Sequence, residues 1–91
     1  MRFDIYYDPE LDVLGRQVQM SIYTPFRELI EWICMEVGLR QADWTFAFGP
    51  PDDDFMGLVH IDEALDLTPD MLGYTDDWNE QVYCYPKAVY N

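Results

Sequence analysis

The sequence contains few cations. Five Lys and Arg residues stand against eighteen Asp and Glu, and the formal net charge is −13 at pH 7. Proteins that bind DNA, RNA or anionic membranes directly need a basic surface, because binding depends on displacing counterions from phosphate groups. The balance of charges therefore argues against direct binding to nucleic acid or to a membrane surface.

Long apolar runs are also lacking. None exceeds five residues, whereas a membrane-spanning helix needs about twenty. Asp4 falls where a signal peptide would have its apolar stretch. The chain is nevertheless 49% apolar and 16% aromatic, which is far above the content of a disordered acidic tail. We therefore expect one soluble, cytoplasmic domain over residues 1–91, with room for one core and one site.

Residues that bind metals or act as nucleophiles are scarce. Cys34 and Cys84 are the two cysteines and His60 is the only histidine, whereas structural zinc requires four nitrogen or sulfur ligands. Both cysteines fall on predicted apolar faces, which favours buried thiols over a disulfide or a nucleophile paired with His60. The sequence has no phosphate-binding glycine loop and no nucleophile elbow. We expect a non-enzymatic protein with no cofactor and no bound metal.

One acidic stretch partly matches a calcium-binding EF-hand loop. Asp52, Asp54 and Glu63 occupy the first, third and twelfth ligand positions of that loop. Met56 stands at the fifth position, where an oxygen ligand is needed, and two prolines precede the loop where a helix should enter. An acidic surface loop is therefore the favoured interpretation, and a calcium-responsive domain is the alternative.

Alternating apolar residues predict strands along the whole chain. Phe3, Ile5 and Tyr7 share one face of the first strand, and the next strand follows after a turn-rich stretch, as in a β-hairpin. Proline and glycine residues stand at the ends of several of these segments. We expect strands over residues 2–7, 17–22, 44–48, 58–61 and 81–85.

Capping signals predict one long helix between the second and third strands. Thr24 is the expected N-cap, Pro25 occupies the first helical position, and Gly38 ends the helix. Trp32 and Met35 fall outside the apolar stripe. The stripe itself consists of Phe26, Leu29, Ile30, Ile33, Cys34 and Val37.

A second capping signal lies near the end of the chain. Thr68-Pro69 predicts a single helical turn that ends at Gly73, immediately before the last strand. The segment Leu67–Tyr74, followed by Val82–Tyr85, is similar to the corresponding part of ubiquitin-like proteins.

The order of all these elements resembles ubiquitin-like β-grasp domains across nearly the whole chain. The resemblance implies an α+β fold with a four- to five-stranded mixed sheet, one main helix packed on one face, and a short one-turn helix before the last strand. Another small α+β sheet with one covering helix is the alternative fold. The chain ends Ala88-Val89-Tyr90-Asn91, without the paired glycines that modifiers use, so covalent conjugation is not expected.

The acids are distributed unevenly. Residues 42–86 hold eleven acids and no Lys or Arg, whereas an ordinary soluble surface mixes both signs. Such a surface suits a basic partner, and carboxylates can stand in for phosphates in a nucleic-acid-binding groove. Adaptation to high salt would produce the same charge. The acids that would supply the field are Asp52, Asp53, Asp54, Asp62, Glu63, Asp66, Asp70, Asp76, Asp77 and Glu80.

Aromatic residues form the second candidate surface. In a β-grasp sheet the first and last strands are neighbours, so Tyr6, Tyr83 and Tyr85 are expected to cluster on the face away from the helix. Trp32 and Met35 are expected to form a second apolar patch on the outer side of the helix. Such amphipathic patches are enriched at protein interfaces, and ubiquitin-like domains commonly bind partners through this sheet face.

Two functions follow as expectations. The first is an acidic inhibitor that occupies a basic, nucleic-acid-binding site of another protein. In size and charge the chain is similar to small acidic phage inhibitors of the anti-CRISPR type. The alternative is a ubiquitin-like adaptor or small structural subunit of a larger assembly, bound through its open sheet face.

Overall fold

The structure is a computed structural model that describes residues 1–7, 16–48 and 59–87. Within these residues there are five strands, one α-helix and three short 3₁₀ turns. The strands are β1 (Arg2–Tyr7), β2 (Arg16–Gln19), β3 (Trp44–Phe48), β4 (Val59–His60) and β5 (Asn79–Pro86); the helix is α1 (Phe26–Val37), and the 3₁₀ turns are Gln41–Asp43, Ile61–Glu63 and Pro69–Leu72.

The five strands form one mixed sheet in the order β2-β1-β5-β3-β4. β1 and β5 pair in parallel, whereas the other three neighbouring pairs are antiparallel. Ile5 lies opposite Val82, and Tyr6 lies opposite Tyr83. The α+β class and the mixed sheet predicted from the sequence are confirmed.

α1 and one face of the sheet enclose the apolar core. The apolar stripe supplies Phe26, Leu29, Ile30 and Ile33, each no more than 2% exposed. Each such side chain contributes about 1.5–3 kcal/mol when it leaves water. The sheet side of the core consists of Phe3, Ile5, Phe46, Phe48, Val82 and Cys84.

The start of α1 differs from the prediction. Thr24 was the expected N-cap, but Pro25 stands at the N-cap position, and no side chain caps the helix there. Instead the backbone N–H of Phe26 donates to the carbonyl of Leu67 at 3.0 Å, and that of Arg27 donates to Leu65 at 3.1 Å. A distant segment therefore satisfies N–H groups that a local side chain was expected to satisfy.

The predicted helix ends agree with the structure. Gly38 ends α1 in the left-handed region, at φ 82°, and its N–H donates to the carbonyl of Cys34. The last 3₁₀ turn is capped by the Thr68 hydroxyl, which accepts from the Met71 N–H, and ends at Gly73 with φ 91°. Glycine suits both positions because positive φ strains residues that carry a Cβ.

Strand bounds differ from the prediction in β2, β4 and β5. In β4, Ile61 belongs to the following 3₁₀ turn and not to the predicted strand 58–61. β2 ends at Gln19, and a turn that begins at Ser21 carries the chain into α1. Met20 still exchanges hydrogen bonds with Met1, and Ile22 is buried in the core although it lies beyond the strand. β5 extends the predicted 81–85 in both directions, because it is the central strand and pairs with β1 and β3 along its length.

The described segments contain no helix with both the length and the apolar character needed to cross a membrane.

Candidate functional site

The sheet face opposite α1 carries the predicted aromatic cluster. The rings of Tyr6 and Tyr83 stack with centroids 5.0 Å apart and planes 12° apart. Both side chains are partly buried. The parallel pairing of β1 and β5 brings the two tyrosines together, as the sequence predicts.

Tyr85 does not fit the predicted exposed patch. It is only 4% exposed, and its register partner Thr45 is 6% exposed. Ala47, on the same face, is also buried. Strand alternation indicates which face a residue occupies, but it does not indicate whether that face is covered. The expectation that Tyr85 is an exposed anchor is therefore wrong.

Trp32 is separate from these tyrosines. It lies on α1, is partly buried and packs against the apolar core. Met35, its expected neighbour in a second patch, is 85% exposed. The structure therefore does not bring Trp32 into the tyrosine cluster, and Trp32 contributes to the packing of the helix.

Most of the predicted acidic surface lies on the chain between β4 and β5. Asp52, Asp53 and Asp54, with most of the candidate calcium loop, lie outside the described residues. Over the described ranges, no group of three or more His, Cys, Asp or Glu is arranged to hold a metal. We call residues 62–80 the acidic segment; its exposed acids are Glu63, Asp66, Asp70, Asp76 and Asp77, and its partly buried acids are Asp62 and Glu80.

Few of these acids meet a cation. Asp66 forms an ion pair with Arg27 at 2.5 Å, with 88% of the Asp66 side chain exposed. Within the described part of the chain, it is the only acid of the acidic segment in a salt bridge. The segment therefore presents a largely uncompensated negative field.

Two acids of the segment accept hydrogen bonds from neutral side chains. The Thr75 hydroxyl donates to Asp77 at 2.5 Å, and this bond lowers the pKa of Asp77. The Tyr74 hydroxyl donates to Glu80 at 3.0 Å. Burial raises the pKa of Tyr74, and the Glu80 carboxylate raises it further because it repels a phenolate.

Asp62 is a weaker candidate for the surface than its neighbours. One of its carboxylate oxygens is buried and has no hydrogen-bond partner among the described residues. A buried carboxylate oxygen loses hydration without a replacement. Asp62 therefore contributes less to an exposed field than the five exposed acids of the segment.

The thiols and the histidine do not assemble into a catalytic pair. Cys84 lies on the core face of β5. His60 is in register with Ala47, and both lie on the face of the sheet away from the core. Cys84 is fully buried and Cys34 is partly buried, and burial raises the pKa of both thiols. A raised pKa disfavours the reactive thiolate.

One exposed apolar surface was not predicted. Tyr23 and Met71 are 69% and 64% exposed, and Leu67 and Leu72 are also exposed. We call these four residues the turn patch. A weak signal for it is present in the sequence, where Leu67 follows Asp66, and Met71 and Leu72 follow Asp70. Their exposure depends on how two distant turns meet, which local patterns do not report.

Backbone hydrogen bonds join the two turns that carry the patch. The N–H of Asp70 donates to the carbonyl of Ile22 at 3.0 Å, and the N–H of Phe26 donates to that of Leu67 at 3.0 Å. Tyr23 follows Ile22, and Met71 follows Asp70. The turn before α1 and the 3₁₀ turn before β5 therefore lie against each other, and both carry exposed apolar side chains.

No family model matches the sequence, and the comparison with curated proteins found no match. The class is therefore defined by the fold and its surfaces alone. It is a small α+β protein with a mixed sheet, an acidic segment before the last strand and an exposed apolar patch beside that segment.

Proposed function

We propose that this chain is a non-enzymatic, acidic protein-binding module that occupies a basic, nucleic-acid-binding site on another protein. In this proposal it acts as an inhibitor of the nucleic-acid-mimic or anti-CRISPR type. Its partner is a protein, and the chain itself does not bind nucleic acid or membranes.

The acidic segment carries this proposal. Five of its acids are exposed, and Asp66 is its only acid in a salt bridge within the described residues. Leaving like charges unpaired raises the free energy of the folded chain. A basic partner would supply the missing cations, which offers a reason for a surface whose self-repulsion destabilises the folded chain.

The fold is proposed to be a ubiquitin-like β-grasp. The support is the sheet order β2-β1-β5-β3-β4, the parallel pairing of β1 with β5, and the core that α1 forms on one face. This assignment describes architecture, and the functional proposal depends on the charged surface.

The physical mechanism is competition for a basic groove. Carboxylates spread along an exposed segment attract Lys and Arg side chains that would otherwise contact phosphates. Such complementarity of charge accelerates association. Salt reduces this acceleration, because exposed charges are screened over about 10 Å at 0.1 M salt. Binding should therefore be fast at low salt and strongly salt-dependent.

The test captures proteins from a bacterial lysate on the immobilised chain at about 0.1 M salt, and then adds short duplex DNA. The proposal expects DNA to release a basic nucleic-acid-binding protein. It also expects salt near 0.5 M, where screening acts over about 4 Å, to release the same protein. Captured proteins that stay bound in both DNA and high salt contradict it.

A matched pair of charge variants sharpens this test. Asp70→Asn/Asp76→Asn removes two exposed acids of the acidic segment, and Glu31→Gln/Glu36→Gln removes two exposed acids of α1. Both variants change the net charge equally. The first should slow association and flatten its salt dependence. Equal effects of the two variants would indicate attraction by net charge alone.

The Tyr6–Tyr83 stack favours a second candidate function, an adaptor or small structural subunit bound through the sheet face. Paired aromatic rings on a sheet face suit a protein interface. Binding of that kind should survive high salt and weaken in Tyr83→Ala. Full binding by Tyr83→Ala would count against it.

A further inference from the structure

The turn patch is a concentration of exposed apolar surface. Six large apolar side chains are exposed in the described parts of the chain, and the patch contains four of them. The remaining two, Met35 and Trp78, lie on α1 and immediately before β5. Scattered exposed apolar residues are ordinary, but a group of them on adjoining turns, next to polar residues, is typical of an interaction site.

The patch is held on a well-bonded turn. Thr68 caps the 3₁₀ turn, the N–H of Gly73 donates to Asp70, and the N–H of Tyr74 donates to Pro69. Pro69 itself is buried. Because the backbone of this turn is fixed before binding, the chain loses less conformational entropy when a partner contacts these side chains.

Acids border the patch on the same turns. Asp66 precedes Leu67, and Asp70 precedes Met71. Residues 42–86 contain no Lys or Arg. Among the residues that the structure describes, Arg27, which contacts Asp66, is the one cation in an ion pair with the acidic segment. A complementary surface therefore has an apolar centre and a cationic edge.

We propose that the turn patch is the anchor site for a cationic amphipathic segment of the partner, in which apolar side chains contact Tyr23, Leu67, Met71 and Leu72 while flanking Lys or Arg side chains face Asp66 and Asp70. This inference rests on the proposed function for the positive charge of the partner. It adds that charge alone is insufficient, and that apolar contacts made here determine how slowly the complex dissociates.

The apolar side chains and the bordering acids together favour a cationic amphipathic segment as the occupant. A purely cationic chain would leave four apolar side chains in water, and a purely apolar segment would bury Asp70 without the counter-charge that Arg27 gives Asp66. A second copy of this chain would bring acids against acids. Only a segment that carries both apolar and cationic groups satisfies both features of the surface.

The test uses three synthetic peptides of equal length. The first is an amphipathic helix of Leu and Lys, the second replaces each Leu with Ser at the same charge, and the third replaces each Lys with Glu. Affinities for the full chain are measured by fluorescence anisotropy at about 0.15 M salt. The inference expects the Leu/Lys peptide to bind about tenfold or more tightly than the Ser/Lys peptide, and the Leu/Glu peptide to bind least.

Two methionines provide a matched control. Met71→Ser in the patch should weaken Leu/Lys binding by about tenfold, whereas Met35→Ser on α1 should leave it unchanged, although Met35 is the more exposed. Tyr23→Ser repeats the test on the other turn, so that a folding defect in one variant does not decide the outcome. Circular dichroism spectra verify that each variant keeps its secondary structure.

Equal binding of the Leu/Lys and Ser/Lys peptides would overturn the inference, as would equal losses in Met71→Ser and Met35→Ser. These outcomes are separate from those for the proposed function. If DNA does not release the captured protein, but the Leu/Lys peptide still binds in a way that depends on Met71, the inhibitor proposal is refuted and the anchor site is supported. If DNA releases the captured protein equally well from the unmodified chain, Met71→Ser and Tyr23→Ser, the inhibitor proposal is supported and the anchor site is refuted.

Discussion

Tyr6 and Tyr83 stack across the parallel pair β1 and β5, with ring centroids 5.0 Å apart. The two residues come from the first and last strands of the sheet in chain order. The contact therefore forms only when both ends of the described fold are in place. It lies on the face opposite α1, where it stabilises the sheet without help from the helix core.

A double-mutant cycle measures what this stack contributes. We expect Tyr6→Ala and Tyr83→Ala to destabilise the chain, with a coupling free energy of about 0.5–1.5 kcal/mol between them, since aromatic pairs are stabilised beyond their area burial. Urea unfolding of the four chains provides the values. Tyr23→Ala, which removes an exposed ring, is the control and should couple to neither. Additive losses for Tyr6→Ala and Tyr83→Ala would show that the stacked geometry adds no stability.

The two threonines that the sequence marks as helix caps should differ in importance. The Thr68 hydroxyl accepts from the Met71 N–H at 3.4 Å, whereas no side chain caps α1 next to Thr24. We expect Thr68→Ala to lower the free energy of unfolding by about 0.5–1 kcal/mol, near the low end for N-caps because this bond is long. Thr24→Ala should cost less. A larger loss in Thr24→Ala than in Thr68→Ala would contradict this assignment of the caps.

These caps show which parts of the fold a sequence can predict. Gly38, Thr68 and Gly73 act within a few residues of their own positions, so the local pattern was sufficient. The amides at the start of α1 instead donate to Leu65 and Leu67, far along the chain. That arrangement depends on tertiary packing, which a local capping rule does not include.

The candidate site shows the same division. Strand alternation correctly placed Tyr6 beside Tyr83, because register follows from strand order once the topology is assumed. Alternation could not indicate that Tyr85 is buried, or that Tyr23 and Met71 lie on adjoining turns. Exposure is a property of the assembled surface, and for these residues it depends on contacts between distant segments.

The two thiols should react at different rates in the native protein. Cys84 is fully buried and Cys34 is partly buried, and burial raises the pKa of both thiols and so suppresses their thiolates. We expect a thiol-specific chromogenic disulfide at about pH 8 to modify Cys34 slowly and Cys84 only when the chain unfolds. The variants Cys34→Ala and Cys84→Ala separate the two signals. Reaction of Cys84 in native Cys34→Ala at the rate of a free thiol would contradict the burial.

Alkaline pH should destabilise the protein partly through Tyr74. Its hydroxyl donates to Glu80, and burial together with the Glu80 charge raises the pKa of Tyr74 above its ordinary value of 10.0. Above about pH 10 the unfolded chain loses this proton while the native chain keeps it, so the native state binds more protons and its stability falls as pH rises. The contribution is fully present below that pH. Its slope should stay below about 1.4 kcal/mol per pH unit, because a single proton sets that limit.

Tyr74→Phe tests that assignment, because it removes the phenol and retains the ring that packs against Phe48 and Trp78. We expect the variant to lose about 0.5–1.5 kcal/mol at pH 7, from the missing hydrogen bond to Glu80. Its stability should also fall less steeply than that of the unmodified chain between about pH 9 and pH 11, as measured by urea unfolding. Tyr23→Phe alters an exposed phenol and should leave both quantities unchanged. The loss of stability at alkaline pH that remains in Tyr74→Phe has the sign expected for Cys84. Its thiol is buried, and burial raises its pKa. Parallel pH profiles for Tyr74→Phe and the unmodified chain would show that Tyr74 does not contribute to this loss of stability.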